Sequence, residues 1–70
     1  MAEVRAEMVA NVWKVVAAEG DQVDDGDTLV ILESMKTEIP VVAEGPGTIT
    51  SMHVAEGDVV QEGDLIAVID

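Results

Sequence analysis

Few side chains in this chain can form or hold a new bond. Cysteine is absent, which removes thiol and disulfide chemistry. A single histidine, His53, cannot build a zinc cage, and with no second ligand at a telling spacing it reads as a surface strand residue. The candidate nucleophiles are the side-chain amines of Lys14 and Lys36. Lys14 falls between Trp13 and Val15 in a strand-like stretch, a poor place for another enzyme's active site to reach. Lys36 lies in Ser34-Met35-Lys36-Thr37, between two runs that read as strands, and therefore on a turn. An amine held out on a turn can be acylated by a separate enzyme. That enzyme must also remove its proton, because an exposed primary amine is almost wholly protonated at neutral pH. Met35 is an unusual neighbour, since turn tips favour Gly, Asn, Asp and Ser. A flexible apolar thioether beside an amine suits recognition by a partner. The competing structural reading makes Lys36 a solvated turn residue with Met35 folded back onto the sheet.

The elements that must position this turn are short. Strand-like runs at Val4–Val9, Asn11–Val16, Leu29–Glu33, Thr37–Val42, Thr48–Val54 and Leu65–Ile69, with shorter pieces at Val23 and Val59–Val60, alternate with turns. The turns carry Glu19-Gly20-Asp21, Asp25-Gly26-Asp27, Gly45-Pro46-Gly47, Glu56-Gly57-Asp58 and Glu62-Gly63-Asp64. No segment sustains a helical period, so the chain reads as all-β. Its 13 valines and 5 isoleucines against 3 leucines support a thin, sheet-built core. Trp13, the only aromatic residue, reads as a shield for one end of that core.

The sequence is also duplicated. Shifted by 37 residues, positions 4–33 fall on 41–70 with ten of thirty pairs identical, among them Ala18/Ala55, Gly20/Gly57, Asp21/Asp58, Val23/Val60 and Gly26/Gly63. Two copies of one unit imply a quasi-two-fold barrel or sandwich, because a half of this size is marginal alone. Residues 34–40 belong to neither copy. The strand entering this joint ends at Glu33, whose repeat partner is the C-terminal Asp70. The symmetry therefore predicts that the joint and the C-terminus lie at opposite ends of one domain spanning 1–70.

Charge narrows the partners. Fifteen acidic and three basic residues give a formal net charge of −12. Three cations cannot track a phosphate backbone, which argues against nucleic-acid binding, and an anionic membrane surface would repel the chain. No apolar run approaches the length of a bilayer span. Without a signal peptide, the expected location is cytoplasmic.

Glu33-Ser34-Met35-Lys36-Thr37-Glu38 resembles the attachment motif of biotinyl domains, the biotin carboxyl carrier family, in which Glu-Ala/Ser-Met-Lys-Met bears the cofactor. The resemblance extends over nearly the whole chain through Ala6, Gly47 and the Gly-Asp turns. It implies a flattened antiparallel barrel of two four-stranded sheets, of the hammerhead type that biotinyl and lipoyl domains share. It implies biotin joined by an amide to Lys36, with Ser34, Met35 and Thr37 as flanking recognition residues. Glu33 and Glu38 read either as a mark for the modifying ligase or as ordinary solvated strand ends. Lipoyl domains usually place an acidic residue before the lysine, whereas here Met35 stands there, which favours biotin. Thr37 stands where the family usually has a second methionine.

The implied role is a non-catalytic carrier that shuttles carboxybiotin between a biotin carboxylase and a carboxyltransferase, for carboxylation of an acyl-CoA or keto acid. Its partners would be a biotin protein ligase and those catalytic subunits, and the chain reads as a free-standing carrier. The alternatives are a lipoyl-type acyl carrier on the same lysine, or an unmodified small β-barrel interaction module. The acidic surface predicts basic docking partners whose binding weakens as salt rises.

Overall fold

The four Gly-Asp segments fold into one recurring turn. In a computed structural model describing Met1–Asp70, Gly20, Gly26, Gly57 and Gly63 all have φ near +90°. That is the third position of a type II turn, which only glycine occupies without strain. The following aspartate closes each turn twice. Asp21 N–H donates to Ala18 O at 3.1 Å while Ala18 N–H donates to Asp21 Oδ2 at 2.9 Å. Asp27 binds back to Asp24, Asp58 to Ala55 and Asp64 to Gln61 in the same way. Part of the acidity is thus turn chemistry.

Between these turns the chain forms eight strands: β1 (Ala2–Arg5), β2 (Ala10–Val15), β3 (Gln22–Val23), β4 (Thr28–Ser34), β5 (Thr37–Val42), β6 (Gly47–Met52), β7 (Val59–Val60) and β8 (Leu65–Ile69). They make two antiparallel four-stranded sheets, β1-β8-β6-β3 and β5-β4-β2-β7. This is the all-β architecture the sequence implied. Two strands differ by more than one residue at an end, and the others agree to within one. The first does not run Val4–Val9: it ends at Arg5, because residues 6–9 must cross from one sheet to the other, with Ala6 bonded to Gly63 and Asp64 on the way. The sixth ends at Met52 rather than Val54.

The duplication shows in the hydrogen-bond register. Val12↔Leu32, Lys14↔Ile31 and Val15↔Val30 in one sheet recur as Ile49↔Ile69, Ser51↔Val68 and Met52↔Ala67 in the other, with the β-bulge at the same place. Each sheet takes its two central strands from one copy and both outer strands from the other. Neither copy could therefore close its own sheet, and the exchange of outer strands makes the two halves one folding unit.

The interior is narrow and wholly apolar. Leu29, Val30, Leu32, Ile49, Ile66, Ala43 and Ala67 are completely or almost completely enclosed, and no charged or polar residue is buried. Gly47 shows how tight the packing is. A Cβ there would lie 2.5 Å from Ile69 Cγ2 and 2.9 Å from Asp70 O. Its repeat counterpart, Ala10, carries a buried Cβ opposite the Leu32 strand, where the β-carbon bears no second γ-methyl. The Ala10/Leu32 and Gly47/Ile69 combinations fill equivalent space from opposite sides.

Candidate functional site

From Val30 the register of β4 against β5 runs without interruption to the joint, through Leu32↔Ile39, Glu33↔Glu38 and Ser34↔Thr37. Only Met35 and Lys36 remain to reverse the chain. They have φ of 52° and 65°, and they are the only non-glycine residues with positive φ. A two-residue hairpin loop with both residues left-handed is a type I′ turn, the geometry that suits the twist of the flanking strands and favours Asn-Gly. Here it is occupied by two long side chains, at a cost of roughly 1–2 kcal/mol each.

Met35 is 94% exposed, so it does not fold back onto the sheet. Lys36 and Thr37 are exposed and Ser34 is half-buried. The only ion pairs join Arg5 to Glu3 and the Met1 ammonium to Asp70, so no carboxylate holds the Lys36 amine. Glu33 and Glu38 face each other across the hairpin one pair behind Ser34↔Thr37. They leave the amine unpaired and put negative charge on the strands below it.

The location of the tip follows from the strand paths. Asn11 pairs with Glu33, so the start of β2 lies near the tip, and β1, which runs toward β2, begins at the far end. There the Met1 ammonium lies 4.0 Å from Asp70 Oδ1. The molecule measures 31 × 17 × 17 Å, with Lys36 and the two termini toward opposite ends. In the second copy, the position matching the hairpin tip is held by the chain ends.

The other singled-out residues stand apart from the tip. His53 is exposed just beyond β6, its Nε2 2.9 Å from Ser51 Oγ. Lys14 lies on β2 with Nζ 6.0 Å from the centroid of the Trp13 ring. Trp13 does not shield the core. It is 45% exposed on the outside of the hairpin's sheet, because it alternates along β2 with the buried Ala10 and Val12. The sequence reading did not locate this outer surface, although a signal was present in the positions where the two copies differ in polarity.

Similarities to known proteins bear on what the tip does. The biotin/lipoyl family model, described as "Biotin-requiring enzyme", matches residues 2–69. The chain is 61% identical over 67 residues to a "Biotinylated protein TB7.3 homolog" of Mycobacterium leprae, covering 96% of this chain and 94% of that protein. In other relatives of that name the match spans 58% of their length. Among solved structures, it superposes on Kluyveromyces lactis urea carboxylase with a TM-score of 0.91 and 42% identity, over 99% of this chain but 6% of that one. A lipoyl domain of a 2-oxoglutarate dehydrogenase complex from Azotobacter vinelandii superposes with a TM-score of 0.79 at 23% identity, a likeness of fold.

Proposed function

The chain belongs to the biotin/lipoyl attachment family, and from that premise we propose that it is a biotin carrier whose acceptor is the Lys36 amine. The observation that carries this reading is the tip itself. At the one place where the duplicated plan has extra residues, Met35 and Lys36 hold a strained left-handed turn, Met35 is 94% exposed and the amine has no ionic partner. Strain concentrated in an exposed two-residue loop is a feature of functional sites. The tip also fits the group: an amide needs one accessible nitrogen and clearance around it, and both are present.

Attachment would form the bond from Lys36 Nζ to the biotin carboxyl carbon as the bond to its activating group breaks, and the amine proton passes to the ligase. Once bound, biotin supplies a ureido nitrogen able to carry a carboxyl group between a biotin carboxylase and a carboxyltransferase. The chain's own residues contribute reach, recognition and high effective concentration. The protein is a carrier and not a catalyst. Homologous domains sit within carboxylases, such as the urea carboxylase above. Separate carboxylase and carboxyltransferase partners, with an acyl-CoA or keto-acid acceptor, belong to the proposal. Biotin is preferred to lipoate because the closely matching relative is named for biotinylation, whereas the lipoyl likeness is one of fold.

Co-expression with a biotin ligase and a lipoate ligase, followed by intact mass, tests the choice of cofactor. The proposal expects only the biotinyl increment. A lipoyl increment, or an unmodified mass, would overturn it.

A further inference from the structure

Because the two sheets share one backbone plan, each serves as a control for the other. Outward positions of the hairpin's sheet can be compared with their repeat counterparts, and the two faces differ in chemistry. Asn11 pairs with Val59 across β2 and β7, which places Val59 diagonally between Val9 and Trp13. These three are 64%, 63% and 45% exposed respectively. On the other sheet their counterparts are Gln22, Pro46 and Thr50, all exposed. Farther along the same face, Pro40 and Val42 of β5 correspond to Glu3 and Arg5 of β1. The fold therefore does not require apolar side chains at four of these five positions, since the second sheet has Gln22, Thr50, Glu3 and Arg5 there, with Pro46 the exception. The apolar surface occurs only on the sheet that carries Lys36.

Its position relative to the amine narrows its partner. The row Glu38–Glu33–Asn11–Val59 crosses all four strands one pair behind Ser34↔Thr37. By strand geometry that row lies roughly 7 Å along the hairpin from Lys36. An enzyme closing on the tip alone would touch little more than Met35 and Lys36, far below the roughly 800 Å² a specific interface covers on each partner. The next surface available to it on this sheet is the one holding Val59 and Trp13. A second copy of the chain is a poor occupant, because each carries a net charge of −12 and Glu33 and Glu38 border the patch.

We propose that the Val9–Trp13–Val59 face is the docking surface for the enzyme that acylates Lys36. It fits a partner surface with an apolar centre, flanked by basic side chains that meet Glu33 and Glu38. The proposal rests on Lys36 being the acceptor.

The test is the steady-state rate of Lys36 biotinylation by purified biotin protein ligase with ATP and biotin. It compares the wild-type chain, Trp13→Thr, Val59→Gln and the double variant, which borrow the residues of the other sheet. Thr50→Ala and Gln22→Ala serve as opposite-face controls, and circular dichroism checks folding. The expected result for the double variant is a KM raised about tenfold or more, the scale of an interface aromatic anchor. Its kcat, far-UV spectrum and final mass increment should match wild type, and the controls should keep their KM. An unchanged KM with full modification would overturn the docking surface while leaving Lys36 as acceptor. Wild-type dimerisation in sedimentation, lost in the double variant, would also overturn it by assigning the face to a second copy. A wild-type chain that gains no mass would remove the acceptor reading and this proposal together.

Discussion

Replacing Met35 by asparagine should make the domain more stable and a worse acceptor. Met35 has φ of 52° and is 94% exposed, so its side chain forfeits no packing when removed. A non-glycine residue in the left-handed region costs roughly 1–2 kcal/mol, and asparagine is among the few that visit it readily. Met35→Asn should therefore gain about 1 kcal/mol. Changing Met35-Lys36 to Asn-Gly should gain about 1–3 kcal/mol, after roughly 0.5–1 kcal/mol is returned to the freedom of glycine in the unfolded chain. In a domain of this size, 1 kcal/mol moves Tm by about 4–8 °C. Thermal and urea unfolding followed by far-UV circular dichroism measure the gain, and ligase kinetics measure the loss of recognition in Met35→Asn. A tip variant that melts at or below the wild-type temperature would refute the claim that the hairpin sacrifices stability to present its amine.

Other perturbations separate structure from function. Gly47→Ala should destabilise by about 1–3 kcal/mol, as overpacking against Ile69 and Asp70 requires, whereas Ala10→Gly should cost about 1 kcal/mol or less; urea midpoints compare the two. Asp21→Ala removes the acceptor for Ala18 N–H and should cost about 1 kcal/mol by urea unfolding, with Asp58→Ala costing about the same through Ala55. Docking to catalytic subunits should weaken as salt rises from about 0.05 to 0.5 M, because the Debye length shortens over that range; titration calorimetry at several ionic strengths would show it.

Much of this architecture was legible because the repeat and the turn chemistry pointed the same way. Thr37–Val42 and Leu65–Ile69 stand where alternation and flanking turns placed them. The Gly-Asp turns were readable because each uses glycine for positive φ and aspartate for a local bond. The path of residues 6–9 was not, since Met8 and Val9 continue an apolar run while the chain crosses between sheets, and local pattern carries no information on crossing. Trp13 was misplaced for a different reason: as the only aromatic residue it was assigned to the core, whereas alternation with the buried Ala10 and Val12 puts it on the outer face. The bulge acts one residue later, leaving Lys14 on the outer face beside Trp13. At the joint, the sequence located the turn, but the shared left-handed conformation of Met35 and Lys36 came from the structure, because neither residue type favours it.

The most direct test of the account is peptide-mapped mass spectrometry of the full chain after reaction with biotin protein ligase, biotin and ATP, beside the Lys36→Arg variant. The account predicts one biotinyl group, on the peptide containing Lys36, and none on the variant. Modification of the variant at Lys14 or the N-terminal amine to the wild-type extent would contradict it, as would a wild-type chain left unmodified.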